Sequence, residues 1–494
     1  MSAYIQLEDK FRDIGRLQDI EAVASWDEAC LMPRGGARGR GESMAALAGL
    51  IHEKCSDPEI GELLNRARGQ HDLSDWQFAN LMNIERAWTE AIALPGQLVR
   101  AYTQATVHAE QVWREARAAN DWQMVAPALD TVVNLARQRA DALAAQMGLS
   151  RYDALLDSYE ADLRVDHIQP LFSELKAYLP GLLDRVLGAQ AEPLPLVGPF
   201  PVEQQRALCE DAMHVLGFDF ERGRFDVSHH PFCGGVPDDT RITTRYDERS
   251  FLESLMAICH ETGHALYQQG LPVAWRNQPV GESLGAAVHE SQSLLMELQV
   301  CRSREFIEFM APKIRTHFAQ AVSPQWSSDN LYAHATRVAR GYIRVDADEI
   351  TYPLHVILRF EMEQLLLNGE LAVKDLPDAW DSSMKHTLGL STAGNDADGC
   401  MQDVHWFAGL FGYFPTYTLG AVGAAQWFAA AQAECPEIKP EIALGNLEPL
   451  LTWLRRSIHD QGRKQSMQAL LTQVTGETLN TRAFKAHLES RYLS

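Results

Sequence analysis

The sequence predicts a mainly α-helical protein with one small β-sheet, and three observations favour that fold class. Apolar residues recur at three- and four-residue spacing from Ile5 to about Ile51 and again from Asp75 to Gly148, which is the pattern of amphipathic helices. Only one region, Arg224 to Tyr246, alternates in the manner of β-strands. Hydrophobic residues make up 46% of the 494 residues, enough for a sizeable core.

Three breaks interrupt the helical pattern. They are MPRGGARGRG (Met32 to Gly41), the pair Pro95-Gly96, and GAQAEPLPLVGPFP (Gly188 to Pro201), and all three are rich in residues that end helices. The last break is the only plausible linker, and the composition does not shift across it. We therefore expect residues 1–494 to form a single domain, with room for a two-lobed organisation.

The strand-like region contains two alternating segments. RFDVSHH begins at Arg224 and TRITTRY begins at Thr240, and CGGVPDD between them has the Gly and Pro chemistry of a turn. These segments predict two short antiparallel strands joined through that turn.

The charge balance excludes some classes of partner. Lys plus Arg is 44 and Asp plus Glu is 66, so the net charge is −22. Nucleic acids and anionic membranes bind positive surfaces, and we expect neither as a partner. Eight scattered cysteines are typical of reduced thiols, the charged N-terminal segment lacks the apolar core of a signal peptide, and no segment is apolar enough to span a bilayer. These features predict a cytoplasmic protein.

A helix is predicted directly after the strands. Asp247 is a suitable N-cap, and Gly270 with Pro272 is a typical helix end. The apolar stripe of this helix consists of Phe251, Leu252, Leu255, Met256, Ile258 and Cys259.

This helix carries the string His260-Glu261-Thr262-Gly263-His264. His260 and His264 lie one turn apart on one face, a spacing that brings two imidazole nitrogens to one metal ion. Glu261 is rotated by one residue, so its carboxylate can reach a water beside the metal. The string also arises by chance, and isolated histidines are more often structural. Its position in the middle of a helix, after a predicted hairpin, favours the metal hypothesis.

A catalytic zinc takes three protein ligands and leaves a position for water. No further histidine follows at the spacing of an extended motif, so the third ligand should be a carboxylate. Glu282 lies in a predicted loop, Glu290 in the helical run AAVHESQSLLMELQV, and Glu297 two turns beyond Glu290. Spacing alone favours Glu290 modestly over Glu282 and leaves Glu297 as a candidate surface residue.

HETGHALYQQ followed by HESQ, with Glu290 standing 26 residues after His264, resembles the carboxypeptidase Taq family of metallocarboxypeptidases. Four further segments match that family's pattern. They are HPF (His230 to Phe232), DTRIT (Asp239 to Thr243), IRVDAD (Ile343 to Asp348) and GCMQDVHW (Gly399 to Trp406). The stretch WDEACLMPRGG near the N-terminus is also similar, so the resemblance extends over nearly the whole chain.

The resemblance implies several properties. Glu290 becomes the third metal ligand, and the fold becomes a large helical peptidase body with a deep substrate groove and a small β-sheet beside the metal-binding helix. The implied activity is stepwise removal of C-terminal residues from peptides, with broad preference and poor action near proline. Family members are typically homodimers that use zinc and often accept cobalt.

Hydrolysis also needs a proton carrier and an oxyanion donor. Glu261 is the candidate general base. GYFPTYTLG offers Tyr413 and Tyr417 as oxyanion donors, of which similarity to the family favours Tyr417, and His405 is a second candidate. A lone tyrosine is more often a packed aromatic residue.

An exopeptidase must recognise the free carboxylate of its substrate, which calls for a guanidinium or an ammonium group. Arg344 and Arg241 lie in matched segments, and Arg344 is the preferred candidate, although an ordinary surface pair with Asp348 is the alternative. His229 and His230 are loop histidines on their sequence alone, and the family match favours a groove position for His230.

Two other functions remain open at this point. An endo-acting zinc oligopeptidase would share the metal site and need no carboxylate-binding residue. A non-enzymatic helical scaffold would use its histidines structurally and bind no stoichiometric metal.

Overall fold

A computed structural model describes residues 2–493. Within them the chain forms twenty α-helices. In chain order, α1 to α10 are Ala3–Cys30, Ala37–Cys55, Pro58–Ala67, Asp75–Ala93, Gly96–Ala119, Trp122–Met147, Arg151–Asp157, Val165–Ala189, Val202–Leu216 and Phe251–Gln269. The second ten, α11 to α20, are Ala286–Leu294, Arg304–His317, Ser328–Ala335, Tyr352–Asn368, Leu376–Leu388, Pro415–Glu434, Ile438–Ala443, Glu448–Ser457, Met467–Thr475 and Arg482–Tyr492.

The prediction of a mainly α-helical fold with a small sheet is confirmed. The helical pattern from Ile5 to Ile51 corresponds to α1 and α2, with the predicted break between them, and the pattern from Asp75 to Gly148 corresponds to α4, α5 and α6. Pro95 directly precedes α5, where its fixed φ suits the entry into a helix. The predicted groove stays a prediction.

The sheet contains three strands where the sequence predicted two. They are β1 (Gly223–Val227), β2 (Cys233–Val236) and β3 (Asp239–Thr244), in the order β1-β3-β2. β2 pairs with β3 antiparallel, but β1 pairs with β3 parallel. The predicted antiparallel pairing of the two alternating segments is therefore wrong.

The misread segment is CGGV, which was predicted to be part of a turn. It forms β2, and the tight turn is confined to Pro237 and Asp238. β1 and β2 lie on opposite sides of β3, and only residues 228–232 link them. This short link makes β1 end at the edge of the sheet where β2 begins, so β1 runs antiparallel to β2 and parallel to β3. Gly235 has φ of +77°, and a side chain there would clash with the backbone of Asp239, so the glycine that suggested a turn instead permits this close pairing.

The chain divides into two compact units. The first unit comprises residues 1–91, 191–336 and 423–479, and the second comprises residues 92–190, 337–422 and 480–494. The segment Gly188 to Pro201 contains one of the points at which the chain passes between them. Two other such points fall inside α4 and α16, where the sequence is continuously helical and carries no linker signal. No helix among residues 2–493 is long and apolar enough to cross a membrane.

Candidate active site

Helix α10 carries the H-E-x-x-H string and lies in the first unit. It begins after Ser250, not at the predicted Asp247, whose side chain instead accepts hydrogen bonds from Arg249. Its predicted end is confirmed, because the N–H of Gly270 caps the last turn by bonding to the carbonyl of Leu266 at 3.1 Å. The helix packs against β3 and α9, and most of its residues are buried.

Gly263, inside the string, lets α11 approach α10 closely. A side chain at Gly263 would stand 2.5 Å from the carbonyl oxygen of Gln292 and 2.6 Å from the Cα of Ser293, so only glycine fits between the two helices. This approach brings Glu290, on α11, to the face of α10 that carries His260 and His264.

His260, His264 and Glu290 form a cluster with the donor set of a metal site. One ligand atom from each lies within 4.8 Å of the others. Oε2 of Glu290 is 3.4 Å from Nε2 of His264 and 3.9 Å from Nε2 of His260. Two imidazoles and one carboxylate are a usual ligand set for a catalytic zinc. Glu282, the other candidate third ligand, is exposed and pairs with Arg463 at 3.0 Å.

The far ring nitrogen of each histidine already has a partner. Nδ1 of His260 lies 2.9 Å from Oε2 of Glu297, and Nδ1 of His264 lies 2.6 Å from Nδ1 of His289. Glu297 stands on a π-helical turn, Leu295–Cys301, that continues α11, and Arg302 holds its other oxygen at 2.8 Å. These contacts turn both Nε2 atoms toward Glu290, the orientation that metal-binding imidazoles take from their outer partners.

The electrostatics of the cluster favour a positive charge within it. Burial opposes the charged form of His260, but Glu290 and Glu297 outweigh burial and raise its pKa to about 10. Burial likewise opposes ionisation of Glu290, but the two histidines outweigh it and lower its pKa. The carboxylates therefore remain charged and attract a cation, which is what a divalent metal requires.

Glu261 is 6% exposed, and its Oε2 is a buried atom without a hydrogen-bond partner among residues 2–493. Burial raises the pKa of this carboxyl above its ordinary value. A buried carboxylate oxygen that meets no protein donor is unusual. It fits a group that exchanges a proton with water or substrate.

Arg344 lies in the second unit, on the short 3-10 turn Arg344–Asp346, and only 4% of it is exposed. Its guanidinium pairs with Asp403, the Nη2 to Oδ1 distance being 2.9 Å, and Nη1 donates to the hydroxyl of Tyr352 at 3.1 Å. Asp348, the partner expected for an ordinary surface pair, instead accepts backbone N–H bonds from Ile350 and Thr351. The surface-pair alternative is therefore wrong.

Tyr417 and His405, also in the second unit, lie beside Arg344. Nε2 of His405 is 3.0 Å from the hydroxyl of Tyr417, and the ring of Tyr417 lies 4.7 Å from the guanidinium carbon of Arg344. Tyr413 packs edge-on against Tyr159 at 5.1 Å between ring centroids. The structure thus brings three of the predicted residues together in one aromatic and cationic cluster.

Arg241 and His230 lie in or beside the sheet of the first unit. Arg241 pairs with Asp239 at 2.6 Å and stacks on Trp26 at 4.4 Å, while Arg224 stacks on the same ring at 5.1 Å. His230 is exposed, and its carbonyl accepts a hydrogen bond from Ser228 at 2.6 Å. His229 is exposed as well. The contacts of Arg241 with Asp239 and Trp26 are those of a structural residue of the sheet.

Sequence reasoning missed three residues that shape these clusters. Asp403 lies within the matched segment GCMQDVHW, so its position offered a signal. His289 directly precedes Glu290, but nothing in the sequence indicates its contact with His264. Arg359, whose Nε lies 2.7 Å from Oδ2 of Asp403, lies in an apolar helical run and has no sequence signal.

A helical fold in which H-E-x-x-H histidines meet a downstream glutamate is characteristic of metal-dependent peptidases. The chain belongs to the carboxypeptidase Taq (M32) metallopeptidase family, whose model matches residues 6–492. The curated relatives include thermostable carboxypeptidase 1 of Thermus thermophilus, 41% identical over 505 aligned residues that cover 99% of this chain and 98% of the relative.

Solved structures give the same result. Metallocarboxypeptidase 1 of Trypanosoma cruzi superimposes with a TM-score of 0.97 at 40% identity, covering 100% of this chain and 99% of that one. An M32 carboxypeptidase from Deinococcus radiodurans R1 gives 0.94 at 35% identity, covering 99% and 98%.

The chain is accordingly a metallocarboxypeptidase, a peptide hydrolase of a family that depends on a divalent metal ion. The comparisons support the carboxypeptidase hypothesis and not the endo-acting alternative. They also exclude the non-enzymatic scaffold.

Proposed function

We propose that His260, His264 and Glu290 bind one zinc ion per chain, with cobalt as an acceptable substitute, and that the enzyme releases C-terminal residues from peptides with broad preference. The observation that carries this proposal is the cluster itself, in which three ligand atoms meet within 4.8 Å. The outer contacts of both histidines support it, because they leave Nε2 of each ring for the metal.

Zinc in such a site supplies a Lewis acid that polarises the scissile carbonyl and makes water a stronger acid. Glu261 is the general base and then the general acid: its carboxylate accepts a proton from the attacking water and delivers it to the leaving amine. Its burial and its unpartnered Oε2 support this role. Burial raises the pKa of the carboxyl toward neutral pH, where one group can both accept and donate a proton efficiently.

We assign oxyanion stabilisation to Tyr417, with His405 holding its hydroxyl at 3.0 Å. Arg344 is assigned to the free carboxylate of the substrate. Among the described residues, its Nε donates to both oxygens of Asp403, one hydrogen of Nη2 to Oδ1 of Asp403, and one hydrogen of Nη1 to Tyr352. A planar guanidinium has one more N–H on each terminal nitrogen, and this pair matches the two oxygens of a carboxylate.

The wider setting follows from family membership and composition. We propose a homodimer that acts in the cytoplasm on peptide substrates, with no role for nucleic acid. Arg241 and His230 stay secondary candidates for substrate contact, since their matched segments favour this and their contacts with Asp239, Trp26 and Ser228 do not require it.

Metal analysis tests the site. The wild-type enzyme should hold one zinc per chain, and alanine at His260, His264 or Glu290 should remove the zinc together with activity. Glu282→Ala is the matched control, because Glu282 is an exposed glutamate of the same unit that pairs with Arg463 at 3.0 Å and lies outside the cluster. Full zinc occupancy in Glu290→Ala, or loss of zinc in Glu282→Ala, would contradict the assignment.

Product analysis tests the reaction. Mass spectrometry of a peptide mixture should reveal ladders shortened from the C-terminus, and a chelator should abolish them. Internal cleavage of C-terminally amidated peptides would contradict the exopeptidase assignment.

A further inference from the structure

Beneath Arg344 lies a second, deeper arginine that shares the same counter-ion. Arg359 on α14 has no exposed surface, and its Nε lies 2.7 Å from Oδ2 of Asp403. Its Nη1 donates to the backbone carbonyl of His355 at 2.7 Å. Arg344 occupies the other carboxylate oxygen, Oδ1. Nε of Arg344 also lies 3.3 Å from Oδ2, so the single carboxylate of Asp403 is the shared partner of both arginines.

The three ionised side chains do not balance. Two guanidinium groups carry +2 and the Asp403 carboxylate carries −1, which leaves an excess of one positive charge among these three paired groups. Glu363 also lies near Arg359, but burial raises its pKa to about 7, and its oxygens accept hydrogen bonds from Tyr152, Trp406 and Gly412 instead. The two cations lower the pKa of the Asp403 carboxyl below its ordinary value despite its burial, so they favour its ionised form. An unbalanced buried charge is costly to the folded protein unless a ligand of opposite sign completes the cluster.

Aromatic faces also support the two guanidinium groups. Arg359 lies 4.6 Å from the ring of Trp380 and 5.3 Å from Phe414, and Arg344 lies 5.5 Å from the same Phe414 ring. Cation–π contacts stabilise a buried cation without neutralising it. The excess positive charge is therefore retained.

We propose that Arg359 is a positioning residue whose charge satisfies Asp403, so that Arg344 keeps an unbalanced positive charge for the carboxylate at the C-terminus of a peptide. Without Arg359, Asp403 and Arg344 would form a neutral pair, and the repulsion from Asp403 would offset part of the attraction that Arg344 exerts on the substrate carboxylate. This inference rests on the proposed role of Arg344 and adds a second residue, 15 positions along the chain, that sets the strength of that role.

The first test removes the charge of Arg359 while keeping a long side chain. Arg359→Met should weaken competitive inhibition by free phenylalanine by about 10- to 100-fold, the order expected for losing one unit charge near a ligand in a medium of intermediate dielectric. Inhibition by phenylalaninamide, which lacks the carboxylate, should change by less than about threefold. Zinc content and the thermal midpoint report whether the variant is folded.

The second test restores the net positive charge of the cluster. Arg359→Met combined with Asp403→Asn again leaves one net positive charge, on Arg344, and should recover most of the affinity for free phenylalanine. Arg359→Lys keeps the charge without the fork and should lie near the wild type. The loss in Arg359→Met and the recovery in the double variant should both change KM for a free-acid peptide more than kcat. Loss of packing alone would not change KM selectively in this way.

The outcomes separate this inference from the function on which it rests. If Arg344→Ala weakens acid and amide ligands equally, the carboxylate-binding role of Arg344 fails. If Arg344→Ala is selective for the acid but the double variant is no better than Arg359→Met, or Arg359→Lys is as poor as Arg359→Met, the charge-balancing role of Arg359 is overturned. Recovery in the double variant together with retention in Arg359→Lys supports it.

Discussion

The sharpest consequence of the site is that Glu261 performs chemistry without holding the metal. Glu261→Gln replaces a carboxylate with an amide of nearly the same shape. The residue is 6% exposed, so a change of volume here would disturb the packing, and glutamine avoids this. The amide cannot accept a proton, so the substitution removes proton transfer and leaves the metal ligands intact.

The expected loss is large. General acid–base assistance contributes about 10²–10⁴-fold to a rate, which corresponds to about 2.7–5.4 kcal/mol of activation free energy at 1.36 kcal/mol per decade. We expect a loss in the upper half of this range, because Oε2 of Glu261 meets no other donor or acceptor among residues 2–493 that could take over the transfer. The loss should appear in kcat, with KM nearly unchanged.

The assay combines steady-state hydrolysis of a free-acid peptide with metal analysis of the same preparations. Glu261→Gln should retain one zinc per chain and lose most turnover. The control is Glu282→Gln, which changes an exposed glutamate of the same unit. This variant should retain both its zinc and its turnover. Turnover within tenfold of the wild type in fully metallated Glu261→Gln would refute the role of Glu261 as the base.

Two further predictions concern the second unit. Arg344→Ala should lower kcat/KM on free-acid peptides by an amount that corresponds to about 2–5 kcal/mol, the range for truncating a desolvated charge pair. Arg344→Lys should restore only part of this loss. Equal losses on acid and amidated peptides would contradict the prediction. Burial raises the pKa of Glu363 to about 7 from 4.5, so the stability that this carboxyl contributes is full below pH 4.5 and is lost as the pH rises through 7. In urea unfolding, the free energy of unfolding of the wild type should therefore fall by up to about 3 kcal/mol relative to that of Glu363→Gln between pH 4.5 and pH 8. A difference between the two proteins that does not change with pH would contradict the raised pKa.

Local periodicity was enough to predict α1, α2, α4, α5, α6 and α10. The end of α10 at Gly270 and the one-turn spacing of His260 and His264 follow from residues near in sequence, because helical hydrogen bonds join residues four positions apart. Sequence reasoning also favoured Glu290 as the third metal ligand. Its proximity to the histidines depends on Gly263, whose missing side chain lets α11 pack against α10.

The sheet could not be predicted in full, because strand pairing is a contact between segments and local alternation does not encode it. RFDV and RITT alternate equally well in parallel or antiparallel pairs. The direction of β1 follows from its short link to β2, residues 228–232, once β2 pairs antiparallel with β3. The glycines that suggested a turn are compatible with a strand that packs closely.

The sequence by itself determined the fold class, the helix that carries the H-E-x-x-H string and the segments that identify the family. Only the tertiary structure decided which charges meet. Asp403 contacts Arg359 from 44 positions away and Arg344 from 59, and Glu297 contacts His260 from 37. Ion pairs at such separations have no period in the sequence. They form because an unpaired buried charge is costly, so each buried charge pairs with a group that the folded chain places beside it, whatever their separation in sequence.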